Sequence, residues 1–131
     1  MRIALAAALV LLAFAPAPAF AQDVSYPSCL SPDLNDQASL DCATTAAAIA
    51  DGELTDLYAE IDAREDDGSK VFMRYAQPAF LAYRGSNCAY YGFRGDTAGK
   101  VAEQICLVKM TGARIAELEA GLAWARPGKG K

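Results

Sequence analysis

Hydrophobic positions repeat with helical spacing along much of the chain. The clearest example lies in residues 35–65, a segment rich in helix formers. Its apolar residues follow the i, i+3, i+4, i+7 rule for one buried helix face: Leu54, Leu57, Tyr58 and Ile61. Gly52 costs a helix about 1 kcal/mol relative to alanine. The pattern favours one helix that runs through Gly52 over two helices that meet there with Asp51 as N-cap.

A second helix is predicted at about residues 70–86. The DDGS stretch before it, residues 66–69, is typical of a turn, with Ser69 placed as the N-cap. Pro78 lies inside the helical pattern, where a proline removes a backbone hydrogen bond and crowds the preceding turn, so we expect a kink or restart there. The residues expected on the buried face are Val71, Phe72, Tyr75, Ala79 and Tyr83.

The stretch YYGFRGDTAGK after Cys88 contains three glycines and no periodicity, which predicts a loop. A last helix is predicted at about residues 97–122. Its expected buried stripe comprises Val101, Ile105, Val108, Ile115, Leu118 and Leu122. Residues 22–34 predict an extended arm that Cys29 ties down. Together the segments predict an all-α fold, a small antiparallel bundle or hairpin of about three helices.

The start of the chain predicts a secretory signal peptide. Arg2 precedes a short apolar run, and small residues at Ala19 and Ala21 form an A-x-A cleavage site, so we expect cleavage after Ala21. The remaining residues 22–131 form a single predicted domain with a core at about 29–122. No later stretch approaches the length of about 20 apolar residues that a membrane span needs. The expected location is the periplasm or the medium.

Four cysteines follow the predicted signal peptide: Cys29, Cys42, Cys88 and Cys106. In an oxidising compartment they are expected to form two disulfides, and four cysteines allow three pairings. Their spacing along the chain favours two local loops, Cys29 with Cys42 and Cys88 with Cys106. A domain this small buries a modest fraction of its surface, so such bonds should contribute strongly to its stability.

Charge and composition exclude several functions. Removal of Arg2 with the signal leaves 11 basic side chains, the 12 of the chain less one, against 16 acidic ones, a net charge of about −5. That balance argues against nucleic acid or an anionic membrane as partner and suits a basic protein. The chain has no histidine, the commonest zinc ligand and general base, and no motif for a metal or cofactor is present.

Two acidic groups and one aromatic group remain as candidates for function. Glu53, Asp56 and Glu60 fall on one helical stripe, which we interpret as a solvated helix face rather than a catalytic carboxylate pair. The run Glu65, Asp66 and Asp67 is a candidate contact for a basic partner. The aromatic residues expected in the loop are a second candidate binding surface, although packing under the disulfide competes as an explanation: Tyr90, Tyr91 and Phe93.

Four short motifs occur in order: CA at 42–43, AD..L...Y at 50–58, AQ..FLAYR...C at 76–88 and CL..MT..R...L at 106–118. They resemble the LprI-type lysozyme-inhibitor-like family of exported bacterial proteins. The sequence departs from the family where Phe80, Thr55 and Pro78 replace its usual tryptophan, asparagine and basic residue. The motif residues interpreted as structural are Gln77, Phe80, Arg84, Thr111 and Arg114. Arg84 shares a helix face with Cys88, so we expect it to hold loop carbonyls or a carboxylate of the first helix.

The resemblance implies a small helical envelope protein, stapled by disulfides, and inhibition of lysozyme. We therefore expect a non-enzymatic binding protein whose partner is a protein, with a basic lysozyme as the first candidate. The alternative is an envelope structural or stress-related interaction protein without a hydrolase target. The sequence leaves the oligomeric state open.

Overall fold

The computed structural model describes residues 27–124, which form a short 3-10 turn and three long helices. The turn is Pro27–Leu30, and the helices are α1 Asp36–Arg64, α2 Asp67–Gly92 and α3 Thr97–Trp124. No strand occurs in this part of the chain, so the predicted all-α fold is confirmed. The predicted signal peptide and its cleavage site lie outside the described residues.

Helix α1 is a single helix through Gly52, as predicted. It begins at an N-cap, Asn35, whose side-chain oxygen accepts a hydrogen bond from the backbone N–H of Ala38 at 2.9 Å. It ends where Glu65 turns to extended backbone and its N–H still bonds to the carbonyl of Ile61. The buried residues lie on one stripe: Ala43, Ala47, Ala50, Leu54, Leu57 and Ile61.

Helix α2 is longer than the sequence predicted at both ends. Asp66, and not Ser69, is its N-cap, because the Asp66 carboxylate accepts a hydrogen bond from the Ser69 N–H at 2.9 Å. The helix runs without interruption through Pro78 and on to Gly92. The predicted loop after Cys88 is confirmed at residues 93–96, which connect α2 to α3, and is wrong at residues 90–92, which are helical. Gly95 takes a φ of +72° in this turn, a conformation that favours glycine.

The prediction for the buried face of α2 is also wrong. All five residues expected in the core are exposed: Val71, Phe72, Tyr75, Ala79 and Tyr83. The two residues of α2 that are buried are Arg84 and Cys88. The helical spacing of these positions was predicted correctly. The side of the helix that faces the core was not, because it was inferred from apolar content alone. An arginine and a disulfide determine the inward face instead, and they turn the most aromatic face outward.

Helix α3 lies against both other helices and shares the core with α1. Its predicted stripe is buried at Val101, Ile105, Val108, Ile115 and Leu118, whereas Leu122 is half-buried. At one end Val101 and Ile105 pack with Ala43 and Cys29, and at the other Ile115 and Leu118 pack with the apolar stripe of α1. The start of α1 therefore meets the start of α3, and these two helices run parallel.

Both predicted disulfides are present. Cys29–Cys42 joins the 3-10 turn to α1, and Cys88–Cys106 joins α2 to α3. The second bond encloses the last turn of α2, the short connection and the first turns of α3. Since α2 buries so few side chains, this covalent bond is a main attachment of α2 to the rest of the domain.

We expect the double variant Cys88→Ala, Cys106→Ala to unfold with a free energy about 3 kcal/mol lower than the parent, the chain-entropy value for a loop of this size. Urea unfolding followed by circular dichroism measures the difference. Hydrogen exchange should show the largest loss of protection in α2. A variant within about 0.5 kcal/mol of the parent would contradict the importance of this bond.

Candidate functional site

Arg84 joins the three helices. Its guanidinium is buried and pairs with the carboxylate of Asp51 on α1. The same Nη1 donates to Thr111 Oγ1 on α3 at 2.5 Å. The carboxylate of the first helix that the sequence led us to expect is thus Asp51. A buried cation that pairs with both neighbouring helices holds α2 in one rotation about its axis. Any other rotation of the helix would leave the charge of Arg84 unpaired.

Phe80 lies between two guanidinium groups. The Cζ atoms of Arg84 and Arg114 are 5.8 and 5.6 Å from its ring centroid, within the range of cation–π attraction. Arg114 in turn donates from Nε to the hydroxyl of Tyr58 at 3.1 Å and from Nη1 to Glu117 at 2.8 Å. Burial disfavours the charged form of Arg114, but these hydrogen bonds outweigh it and the pKa of Arg114 is raised.

The five motif residues therefore lie along one polar seam between the helices. Gln77 lines a groove beside Tyr58 and Met73. Two buried polar atoms of this seam, Gln77 Oε1 and Arg84 Nε, have no hydrogen-bond partner among the described residues. The charged groups of the seam, Arg84 and Arg114, are used in contacts that join the helices. We interpret it as a structural device.

Negative charge is concentrated on α1. This helix contains seven acidic residues and one basic residue, Arg64: Asp36, Asp41, Asp51, Glu53, Asp56, Glu60 and Asp62. Helix α2, by contrast, has one acidic and three basic residues: Asp67, Lys70, Arg74 and Arg84. The predicted stripe of Glu53, Asp56 and Glu60 is exposed, and we call it the α1 acidic face. Glu60 also pairs with Arg64 one turn later.

The acidic run 65–67 forms the connection between α1 and α2. Glu65 is the C-cap of α1, Asp66 is the N-cap of α2, and Asp67 is the first residue of α2 with Lys70 Nζ 3.9 Å from its carboxylate. The hydrogen bond from the Ser69 N–H lowers the pKa of Asp66 below its usual 3.8. The run follows Glu60, the last residue of the α1 acidic face, along the chain.

The candidate aromatic residues lie at the opposite end of α2. Tyr90, Tyr91 and Phe93 are 78%, 48% and 90% exposed, and the two tyrosine rings meet edge to face at 5.5 Å. Tyr90 and Tyr91 belong to the last turn of α2, and Phe93 is its C-cap and the first residue of the connection to α3. At 1.5 Å per helical residue, roughly 35 Å separates Tyr90 from Asp67. The structure therefore does not bring the two predicted contact groups together.

The sequence model of the family described as "Lysozyme inhibitor LprI" matches residues 29–118. The chain belongs to this family. The match begins at Cys29 and includes all four cysteines, the polar seam and the α1 acidic face. No curated protein and no solved structure matches the chain.

Within residues 27–124, the chain has no group of acidic and cysteine side chains suited to hold a metal ion. None of the three helices is long and apolar enough to cross a membrane.

The sequence analysis missed one exposed surface of this chain. Exposed residues on the outer face of α2 form a line that we call the α2 aromatic stripe: Phe72, Tyr75, Ala79, Tyr83, Ser86 and Tyr90. Residues 72, 79 and 86 follow a seven-residue period, which the sequence shows. The sequence signal for the outward orientation of this stripe is Arg84. It lies on the opposite side of the helix, and that side faces the other two helices.

We expect Arg84→Ala to lower the free energy of unfolding by about 3 kcal/mol, because it removes the charge-assisted hydrogen bonds to Asp51 and Thr111 from a buried position. Arg74→Ala is the matched control, since Arg74 lies on the same helix and is exposed. Its effect should stay within about 0.5 kcal/mol. Equal effects of the two substitutions in urea unfolding would show that the seam does not hold the helices.

The Asp66 cap predicts a specific loss of stability in acid. Its pKa is near 3.8 when unfolded and lower when folded, so the cap stabilises fully above 3.8 and is lost as the pH falls through the lower value. Asp66→Asn keeps the acceptor without the charge, and we expect it to reduce the drop in Tm between about pH 4 and about pH 2. Titration of Asp66 by NMR at or above 3.8 would contradict this role.

Proposed function

We propose that this protein is an exported, non-catalytic inhibitor of lysozyme whose α1 acidic face binds a basic surface of the enzyme. The observation that carries the proposal is the separation of charge in a member of the lysozyme inhibitor family: α1 has seven acids against one base, while α2 has an excess of basic residues. The acidic run 65–67 adds three further carboxylates where α1 ends.

The geometry of α1 suits contact with a folded partner. Its 29 residues form an uninterrupted rod of about 44 Å, and Glu53, Asp56 and Glu60 project from one side of it over two turns. A rigid line of carboxylates requires little ordering when a partner binds. Negative charge of this kind raises the association rate with a cationic protein. The attraction weakens as added salt shortens the Debye length.

Two covalent features support export. Both disulfides join segments of the domain, and such bonds persist in oxidising compartments. The predicted signal peptide at residues 1–21 would deliver the chain there. The partner would then be a hydrolase that either reaches the cell envelope from outside or is already present in the envelope.

The exposed aromatic residues Tyr90, Tyr91 and Phe93 remain a second candidate contact. Because they lie at the far end of α2, a lysozyme bound to the acidic run would have to extend along the whole helix to touch them. They would instead serve the alternative function, an envelope interaction protein without a hydrolase target, if a different partner binds at that end.

Inhibition of a basic lysozyme in a cell-wall clearing assay tests the proposal. We expect the purified protein to inhibit at low ionic strength, and the triple variant Glu53→Gln, Asp56→Asn, Glu60→Gln to need roughly tenfold more protein for the same effect. Added salt should weaken inhibition by the parent more than by the variant.

Two triple variants serve as matched controls. Glu65→Gln, Asp66→Asn, Asp67→Asn removes the same charge at the end of α1 and should weaken inhibition less. Tyr90→Ala, Tyr91→Ala, Phe93→Ala should leave inhibition unchanged. No inhibition by the parent at any excess would overturn the proposal, and loss of inhibition in the aromatic variant alone would move the binding surface to the end of α2.

A further inference from the structure

The α2 aromatic stripe is an exposed apolar surface without a partner in the described structure. Its large residues, Phe72, Tyr75, Tyr83 and Tyr90, are 63–78% exposed. From Phe72 to Tyr90 the stripe extends for about 27 Å along an uninterrupted helix. Large apolar surfaces of this kind mark interaction sites more often than they mark free surface.

The stripe is also free of charge. Between residues 71 and 93 the charged side chains are Arg74 and Arg84. Arg84 is buried against Asp51, and Arg74 lines a groove with Tyr58 and Asp62 of α1, away from the stripe. The whole chain has a net charge of −4. On the α2 aromatic stripe, another negatively charged molecule would meet no negatively charged side chain.

We infer that the α2 aromatic stripe is a homodimer interface, on which a second copy of this chain packs with its α2 antiparallel. A two-fold axis near residue 81 superimposes the stripe on itself. Residue 72 then lies opposite residue 90 of the second copy, residue 75 opposite 86 or 87, and residue 79 opposite 83. Such an interface is isologous, and a symmetric pair closes without further growth.

The side chains fit this register. Tyr83 of each copy faces Ala79 of the other, Tyr75 faces Ser86, and Phe72 faces Tyr90. Each large residue near the axis therefore meets a small one, which is the condition for two helices to approach closely and interdigitate. The aromatic pairs at the two ends close the interface. A parallel arrangement would place each large residue against its own copy instead.

The area is sufficient for a weak specific dimer. Phenylalanine and tyrosine side chains each bury roughly 150–250 Å². At the exposures given above, four of them supply roughly 600 Å² per copy and about 1,200 Å² in total, the lower end of specific interfaces. We therefore expect a dissociation constant on the order of 10 μM.

Charge distinguishes a second copy from a basic partner. A cationic protein is drawn to the α1 acidic face and gains nothing from an uncharged stripe. A second copy carries the same negative charge and is repelled along α1, so the neutral side of α2 is the face on which it can approach. The dimer should consequently tighten or stay unchanged as salt is added, the opposite of lysozyme binding.

Sedimentation equilibrium of the purified, disulfide-bonded protein tests the proposal. The expected result is a reversible monomer–dimer equilibrium with no higher species. Ala79→Glu places a carboxylate in the contact with Tyr83 and should raise the dissociation constant at least roughly a hundredfold. The matched control is Ile49→Glu, which adds the same charge at an exposed apolar residue of α1, 58% exposed, and should raise it less than roughly threefold.

Photo-crosslinking determines the register. A benzophenone amino acid at position 72 should crosslink to the peptide that contains Tyr90 of the other copy. The same group at position 82, close to the axis, should crosslink to its own counterpart. Crosslinks from position 72 to position 72 would indicate parallel pairing and overturn the arrangement.

Three further results would overturn the dimer. One is a single monomeric species at about 1 mM, some hundredfold above the expected constant. Another is equal weakening by Ala79→Glu and Ile49→Glu. The last is a monomer whose Ala79→Glu variant loses lysozyme inhibition, which would assign the stripe to the hydrolase. Inhibition and dimerisation are measured separately, so either can fail while the other stands.

Discussion

The buried guanidinium of Arg84 determines how the second helix sits in the domain. A charge at this depth is tolerated only where hydrogen-bonding groups surround it, and Asp51 and Thr111 supply them from the other two helices. One residue therefore fixes the rotation of α2 relative to both neighbours. Phe80 and Cys88, one turn before and after, follow it to the inside. The aromatic face of α2 points outward as a consequence, although it is the more apolar side.

This constraint explains which parts of the fold the sequence could predict. Helices α1 and α3 bury apolar residues at helical spacing, so periodicity alone identified both helices and most of their core. The disulfide pairing followed from local spacing in the same way. For α2 the same rule predicted a buried Phe72, Tyr75 and Tyr83, which are exposed. Apolar periodicity cannot detect a face whose inward position depends on an arginine, its carboxylate and a disulfide.

The candidate sites also include one feature that the sequence could predict and one that it could not. The acidic stripe on α1 could be predicted, because three carboxylates at helical spacing must share a face whatever the tertiary structure. The relation between the acidic run 65–67 and the aromatic residues at 90–93 could not. This relation depends on α2 continuing through Pro78 and past Cys88. About six residues beyond the predicted end of α2 are helical. The continuous helix holds these groups at opposite ends.

Charge and apolar surface are thus separated onto different helices, and the separation depends on α2 staying attached. The fully buried residues of helix α2 are Arg84 and Cys88, and its hydrophobic contact with the core comes from the half-buried Met73 and Phe80, so the ion pair and the Cys88–Cys106 bond supply much of its attachment. Hydrophobic burial is insensitive to redox conditions, whereas a disulfide is absent where thiols are kept reduced. In a reducing compartment α2 would retain its cap and the Arg84 contacts but lose its covalent attachment. Oxidation of Cys88 and Cys106 therefore adds a covalent attachment to an orientation of the aromatic stripe that the Arg84 contacts already determine.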